Sequence, residues 1–258
     1  CGTDQPWLDL NRNSILDDYE NPSLSVDARV IDLLQRMTLE EKISQLQAFS
    51  KPIERLGVKA YVWRNEALHG VVANNQNCDS CINKTTVFPQ SIGLASTWNL
   101  DLVYKEATAI SEEARALANT LNNSRYLNFW NPMINIARDP RWGRTQEGYG
   151  EDPFLVSKIA VEYIKGLQGK DNKYLKAIAS PKHFVANNVD GDRHFTNSEI
   201  DDKILRNYYF PAFRSSIIEG NAQGLMSAYN ALNGVPCSGN TFLLNDILRG
   251  EWGFNGHV

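Results

Sequence analysis

At 258 residues, with 42% hydrophobic and 22% charged residues, the chain has the size and composition of a globular protein able to bury a large core. A formal net charge of −4 lacks the basic excess that nucleic-acid binding needs. No run of about eighteen apolar residues occurs, so no segment reads as a membrane-spanning helix.

Residues 1–24 read as an N-terminal extension. Cys1 stands where an initiator Met is expected. A bacterial lipoprotein with its leader removed, lipid-anchored at Cys1, and an arbitrary fragment boundary both account for it. The first reading places the protein outside the cytoplasm: secreted, periplasmic or on the outer surface. Asp9, Asn11, Asn13, Asp17 and Glu20 occupy positions one, three, five, nine and twelve of an EF-hand-like loop, and Ile15 offers its carbonyl at position seven. The spacing predicts a structural calcium ion. Ser14 departs from the pattern, which wants glycine for its sharp turn, and an Asx-rich turn that binds nothing is the competing reading.

Residues 25–258 read as one domain. Val30, Leu33, Leu34 and Met37 recur at helical spacing, and Thr38 with Glu41 makes a capping box that opens a second helix. Cys78 and Cys81 form a CxxC with no second pair to complete a zinc site, leaving a loop disulfide or two idle thiols; the fourth cysteine is Cys237. Asn99 caps a helix through Ala114, Asp152-Pro153 starts another that Gly169 stops, Asp201 begins one that Pro211 divides, and Asn240 begins a last one. Ser91–Ala95, Tyr126–Trp130, Ala177–Ala179 and Leu225–Tyr229 read as short strands. No Asn-Gly hairpin signal is read between alternating runs, so the alternation predicts a parallel sheet, doubly wound or closed as a (β/α)8 barrel. No GxGxxG follows a strand, which weighs against a dinucleotide fold.

Chemistry-bearing residues gather at the predicted strand ends. Glu66 and His69 share one segment; Tyr126–Trp130 leads toward Arg138, Arg141, Arg144 and Glu147; Ala177–Ala179 stops at Ser180-Pro181 before Lys182 and His183; Leu225–Ala228 leads into Tyr229. That end of an α/β sheet is where ligand-handling side chains stand. A cation beside an imidazole suits a neutral, hydroxyl-rich ligand, and aromatic walls suit the apolar face of a pyranose.

Six motifs, NEALHGV, VFPQSIGLAST, RDPRWGR followed by Glu147 and GEDP, SPKHF, MSAYN with NG three residues on, and LLNDILRGEWGFNGHV, resemble the N-terminal barrel of glycoside hydrolase family 3 from about Met37 to Val258. The resemblance implies a (β/α)8 TIM-type barrel, incomplete at the C-terminus, and a retaining exo-β-glycosidase acting on plant-type oligosaccharides without a catalytic cofactor, β-xylosidase favoured over β-glucosidase. It implies substrate binding by Glu66, Arg144, Lys182, His183 and Tyr229. It places the nucleophile just beyond Val258 and the acid/base in a later loop or a further domain in cis, so the fragment alone is expected to be inactive. Two rivals are a sugar-binding half-barrel without catalytic groups and a metal-dependent barrel hydrolase using Glu66, His69 and His183.

Overall fold

The computed structural model describes residues 7–72, 85–171 and 174–258. Two compact units result, Cys1–Arg64 and Asn65–Val258. Cys1, Cys78 and Cys81 lie outside the described residues, whereas Cys237 is a buried free thiol.

The first unit takes in the expected extension together with two helices, α1 (Val26–Arg36) and α2 (Leu39–Ser44). Ser25 caps α1 by accepting from Ala28 N, and Thr38 and Glu41 form the capping box that the sequence announces. Strands β1 (Phe49–Ser50) and β2 (Tyr61–Val62) pair antiparallel. Met37, Ile53 and Leu56 make a small buried cluster, and the Tyr19 hydroxyl donates to Leu56 O at 3.2 Å. Gly57 is required twice over: its φ is +64°, and a Cβ there would run into the Leu10 carbonyl.

The second unit holds the main core. Ser91–Ala95, expected as a strand, is helix α3. Its buried residues, Ser91, Leu94 and Ala95, fall on one helical face, a period that a five-residue apolar run conceals. Helix α4 (Leu100–Leu121) is capped by Asn99, and α5 (Pro153–Gln168) by Asp152 with Pro153 in its first turn. The two pack closely at Gly166, where an added Cβ would lie 2.8 Å from Ala107 Cβ. Helices α6 (Asp202–Ile204), α7 (Pro211–Ile218) and α8 (Phe242–Glu251) complete the helical layer.

Strands alternate with these helices and pair in chain order. Trp130 N donates to Asn65 O; β3 (Asn128–Phe129) lies parallel to β4 (Ile178–Ala179); β5 (Lys182–Phe184) lies parallel to β7 (Met226–Ser227); and Leu225 N donates to His257 O. Sequential parallel neighbours separated by helices are the β/α arrangement expected, shown here as a run of strands and not as a closed barrel. The remaining strands, β6 (Asn197–Ser198), β8 (Ala231–Leu232) and β9 (Val235–Pro236), form a separate three-stranded patch.

Two expectations need correction. Asn233-Gly234 does join an antiparallel hairpin, β8 to β9, with φ of +49° and +85° at its two turn residues. Alternation is too short there to register, but the turn chemistry alone identifies it. Nor does the chain leave the sheet at Ser180-Pro181. Pro181 forfeits one donor while its carbonyl still accepts from Met226 N, so the strand continues and Lys182 and His183 sit within it.

Candidate functional site

Lys182 and His183 project from β5, each almost wholly buried. A buried ammonium demands a counter-charge. It finds one in Glu66, beside the first parallel strand, whose Oε2 accepts from Lys182 Nζ at 2.6 Å. The Lys182 side chain is 4% exposed and that of Glu66 is 40% exposed, so the pair is closed on the lysine side and open to solvent on the carboxylate side. Burial pushes the Lys182 ammonium below its usual range, against the attraction of Glu66, and pushes the Glu66 carboxyl above its own. Glu66 is the only partner of Lys182 among the described residues, so two of its three N–H bonds are left for a ligand.

His183 is held by Asn135. Asn135 Nδ2 donates to His183 O at 2.9 Å, and Asn135 Oδ1 accepts from His183 N at 2.8 Å. Those two backbone bonds fix which end of the amide is oxygen. The same Oδ1 lies 2.9 Å from His183 Nδ1, so Nδ1 carries the proton and Nε2 presents a lone pair. Arg144 Nη1 stands 3.3 Å from that Nε2. Burial first, then the Lys182 and Arg144 charges, drive the His183 pKa down to about 2, so the ring stays neutral. Toward a hydroxyl, His183 therefore accepts rather than donates.

Arg144 itself is gripped by Glu147 in a bidentate pair, at 2.8 Å through Nε and 2.7 Å through Nη2. Tyr229 closes the cluster, its ring centroid 5.7 Å from that of His183. On its other contacts the Arg193 guanidinium lies 4.9 Å above the Tyr229 ring, and His194 meets the ring edge-on at 5.1 Å. All five residues expected to bind substrate thus come together. Asn135, Arg193 and His194 were not foreseen, and no spacing signal marks them. Arg138 and Arg141 turn elsewhere, to the Tyr209 hydroxyl and to Asp139.

The cluster offers two carboxylates, the cationic N–H groups of Lys182, Arg144 and Arg193, a neutral imidazole and an aromatic wall within a single unit. Both carboxylates, Glu66 and Glu147, are neutralised by a cation. Such an arrangement offers charged donors and acceptors to hydroxyl groups. Glu66, His69 and His183 do not form a metal-ligating group, and among the described residues no three His, Cys, Asp or Glu side chains are placed to hold a metal ion.

The Asp9–Glu20 loop has the expected wrap. Ser14 adopts φ +63°, and Asp9 accepts from Asn13 N and Ser14 N. Its other donors are engaged in the loop itself. Glu20 accepts from Leu10, Asn11 and Asp17 amides, while Asp17 accepts from the Asn11 and Asn13 side chains and pairs with Arg36 at 2.9 Å. As placed, these residues do not fit a calcium ion, which would require Glu20 to give up its amides. The expected result is a Tm unchanged by a chelator. Glu20→Gln should lower Tm by a few degrees with or without calcium, since a buried acceptor of amide N–H bonds is worth about 1–3 kcal/mol. A chelator-induced drop in the wild type, absent from Glu20→Gln, would instead establish the calcium site.

Residues 22–258 match the glycosyl hydrolase family 3 N terminal domain. A beta-xylosidase/alpha-L-arabinofuranosidase of Medicago sativa subsp. varia is 41% identical over 97% of the chain and 34% of its own length. A xylan 1,4-beta-xylosidase of Xylanibacter ruminicola is 42% identical over 92% of the chain and 28% of its own length. Among solved structures, a GH3 exo-beta-xylosidase in complex with a xylobiose aziridine probe superposes with TM-score 0.84 at 33% identity, covering 91% of this chain and 31% of that one. Beta-glucosidase 3B of Thermotoga neapolitana, in complex with alpha-D-glucose, gives TM-score 0.78 at 32% identity, over 89% of this chain and 34% of that one. The chain spans about a third of the length of these relatives.

Proposed function

The chain belongs to glycosyl hydrolase family 3, and from that premise we propose that it supplies the terminal-sugar site of a retaining exo-β-glycosidase that prefers β-xylosides. The observation that carries this reading is the Glu66–Lys182 pair, a buried ammonium with spare N–H bonds facing a carboxylate open to solvent. A sugar hydroxyl bridges such a pair well, donating to the carboxylate and accepting from the ammonium, and the bonds are charge-assisted at both ends. A neighbouring hydroxyl accepts from Arg144, whose Nη1 also meets His183 Nε2, while the Tyr229 ring covers an apolar sugar face.

In this reading the parallel run is part of a (β/α)8 barrel. The site holds and orients the sugar, and the bond is broken by a carboxyl pair supplied from outside the cluster. A retaining enzyme places that pair about 5 Å apart. Water expelled from around Lys182 strengthens each contact, and fixing the ring removes orientational freedom before the reaction begins. The printed names of the relatives, xylosidases at the higher identities and glucosidases among the structures, support the sugar class.

The whole protein is therefore expected to show a higher kcat/KM on an aryl β-xyloside than on the matching β-glucoside. The difference should be about ten- to two-hundredfold, the value of excluding one CH2OH group. A glucoside preferred over the xyloside would overturn the specificity while leaving the family assignment intact.

A further inference from the structure

Away from the sugar cluster, α3 and α4 enclose a cleft of about 350 Å³. Phe88, Pro89, Leu94, Leu102 and Ala109 give it apolar walls, and a single carboxylate, Glu106, stands in its lining. A carboxylate in such a place is costly unless it is paired. Glu106 is 6% exposed, and among the described residues it has neither a hydrogen-bond nor an ion-pair partner. Lys105, next along α4, is exposed and committed to Asp101 at 2.6 Å. The groups packed nearby are the Tyr149 and Tyr163 hydroxyls, and neither brings a positive charge.

We propose that this cleft is a binding site for a small apolar amine, whose ammonium pairs with the Glu106 carboxylate while its hydrocarbon body fills the space between α3 and α4. The volume lies at the small end of the range for ligand pockets, and the lining has the usual plan of apolar walls with a few polar groups, here Thr97, the Asp101-paired Lys105 and the unpaired Glu106. The ammonium supplies the counter-charge that Glu106 lacks, which makes a cation the favoured occupant over a neutral or anionic molecule of the same shape. Nothing in this argument depends on the sugar site.

Burial raises the Glu106 pKa to about 7, which gives the binding a pH signature. Below that value the carboxyl is protonated and offers no charge; above it the carboxylate is present, and the amine remains protonated throughout. Affinity therefore rises with pH, by about tenfold between pH 6 and pH 8 as the ionised fraction of Glu106 grows.

The test titrates the chain with 2-phenylethylamine at both pH values, following binding by NMR shifts. The expected results are tighter binding at pH 8, no binding of the isosteric anion 3-phenylpropanoate, and no competition from methyl β-xyloside. Glu106→Gln should bind the amine at least tenfold more weakly at pH 8 and lose the pH dependence. Ala109→Phe, which fills the cleft and leaves Glu106 in place, should abolish binding. Failure of the amine to bind at pH 8, equal binding of amine and anion, or unaltered affinity in Glu106→Gln would each overturn the proposal.

Discussion

Replacing Glu66 by glutamine is expected to lower stability at neutral pH by about 2–3 kcal/mol, whereas Lys182→Met leaves it within about 1 kcal/mol. The asymmetry follows from where each partner sits. Lys182 is buried within β5, so removing Glu66 strands an ammonium that water reaches poorly. The loss is set below that of a fully enclosed pair because Glu66 is 40% exposed and solvent partly replaces it. Methionine in place of Lys182 removes the buried charge, fills similar volume, and leaves Glu66 facing solvent.

The pH dependence has a definite sign. Burial lowers the folded-state pKa of Lys182 below the ordinary lysine value, so across that window the unfolded chain binds more protons and stability rises with pH. Losing Glu66 removes the attraction that opposes the shift and widens the window. The deficit of Glu66→Gln should therefore be largest near pH 7 and shrink toward pH 10, as Tm measured across that range would show. A deficit that is flat or grows with pH would mean that the pair is not what holds Lys182 in its charged form.

Glu66→Asp is expected to narrow or reverse the xyloside preference of the whole protein, moving the kcat/KM ratio by about ten- to two-hundredfold. Glu66 reaches Lys182 at 2.6 Å. A side chain one methylene shorter draws the carboxylate back toward its own backbone and opens room beside the pair. Xylose does not need that room, while the exocyclic CH2OH of glucose does. The loss on the xyloside should appear partly in KM, since the shortened carboxylate no longer meets both the ammonium and a hydroxyl in one geometry. A ratio unmoved by the substitution would place the specificity elsewhere, with Arg193 and His194 against Tyr229 as the next residues to vary.

Much of this was legible in the sequence because the relevant signals are local. Caps at Thr38, Asn99 and Asp152 give the helices their starts, and each accepts the bond its position predicts. Glu66, Lys182, His183, Arg144 and Tyr229 could be named because the motifs that hold them resemble those of the family. What stayed hidden depends on partners distant in sequence. Asn135 lies 48 residues from His183, yet it decides which imidazole nitrogen holds the proton. Without it, His183 reads as a ring that donates and accepts alike. Pro181 misled as a stop, since a strand tolerates proline where the neighbour needs only its carbonyl. Ser91–Ala95 misled because five residues do not separate a helical from a strand period. Glu106 gave no signal at all, as its burial arises only where α4 packs into the folded core.

The central claim is that the Glu66–Lys182 pair is where a terminal sugar binds, and binding of methyl β-xyloside to the chain, followed by saturation-transfer NMR, tests it most directly. The account predicts a saturable signal for the wild type, a weaker one for methyl β-glucoside, and none for Lys182→Met, a variant whose Tm stays close to that of the wild type. A folded Lys182→Met chain that binds the xyloside as well as the wild type does would contradict it.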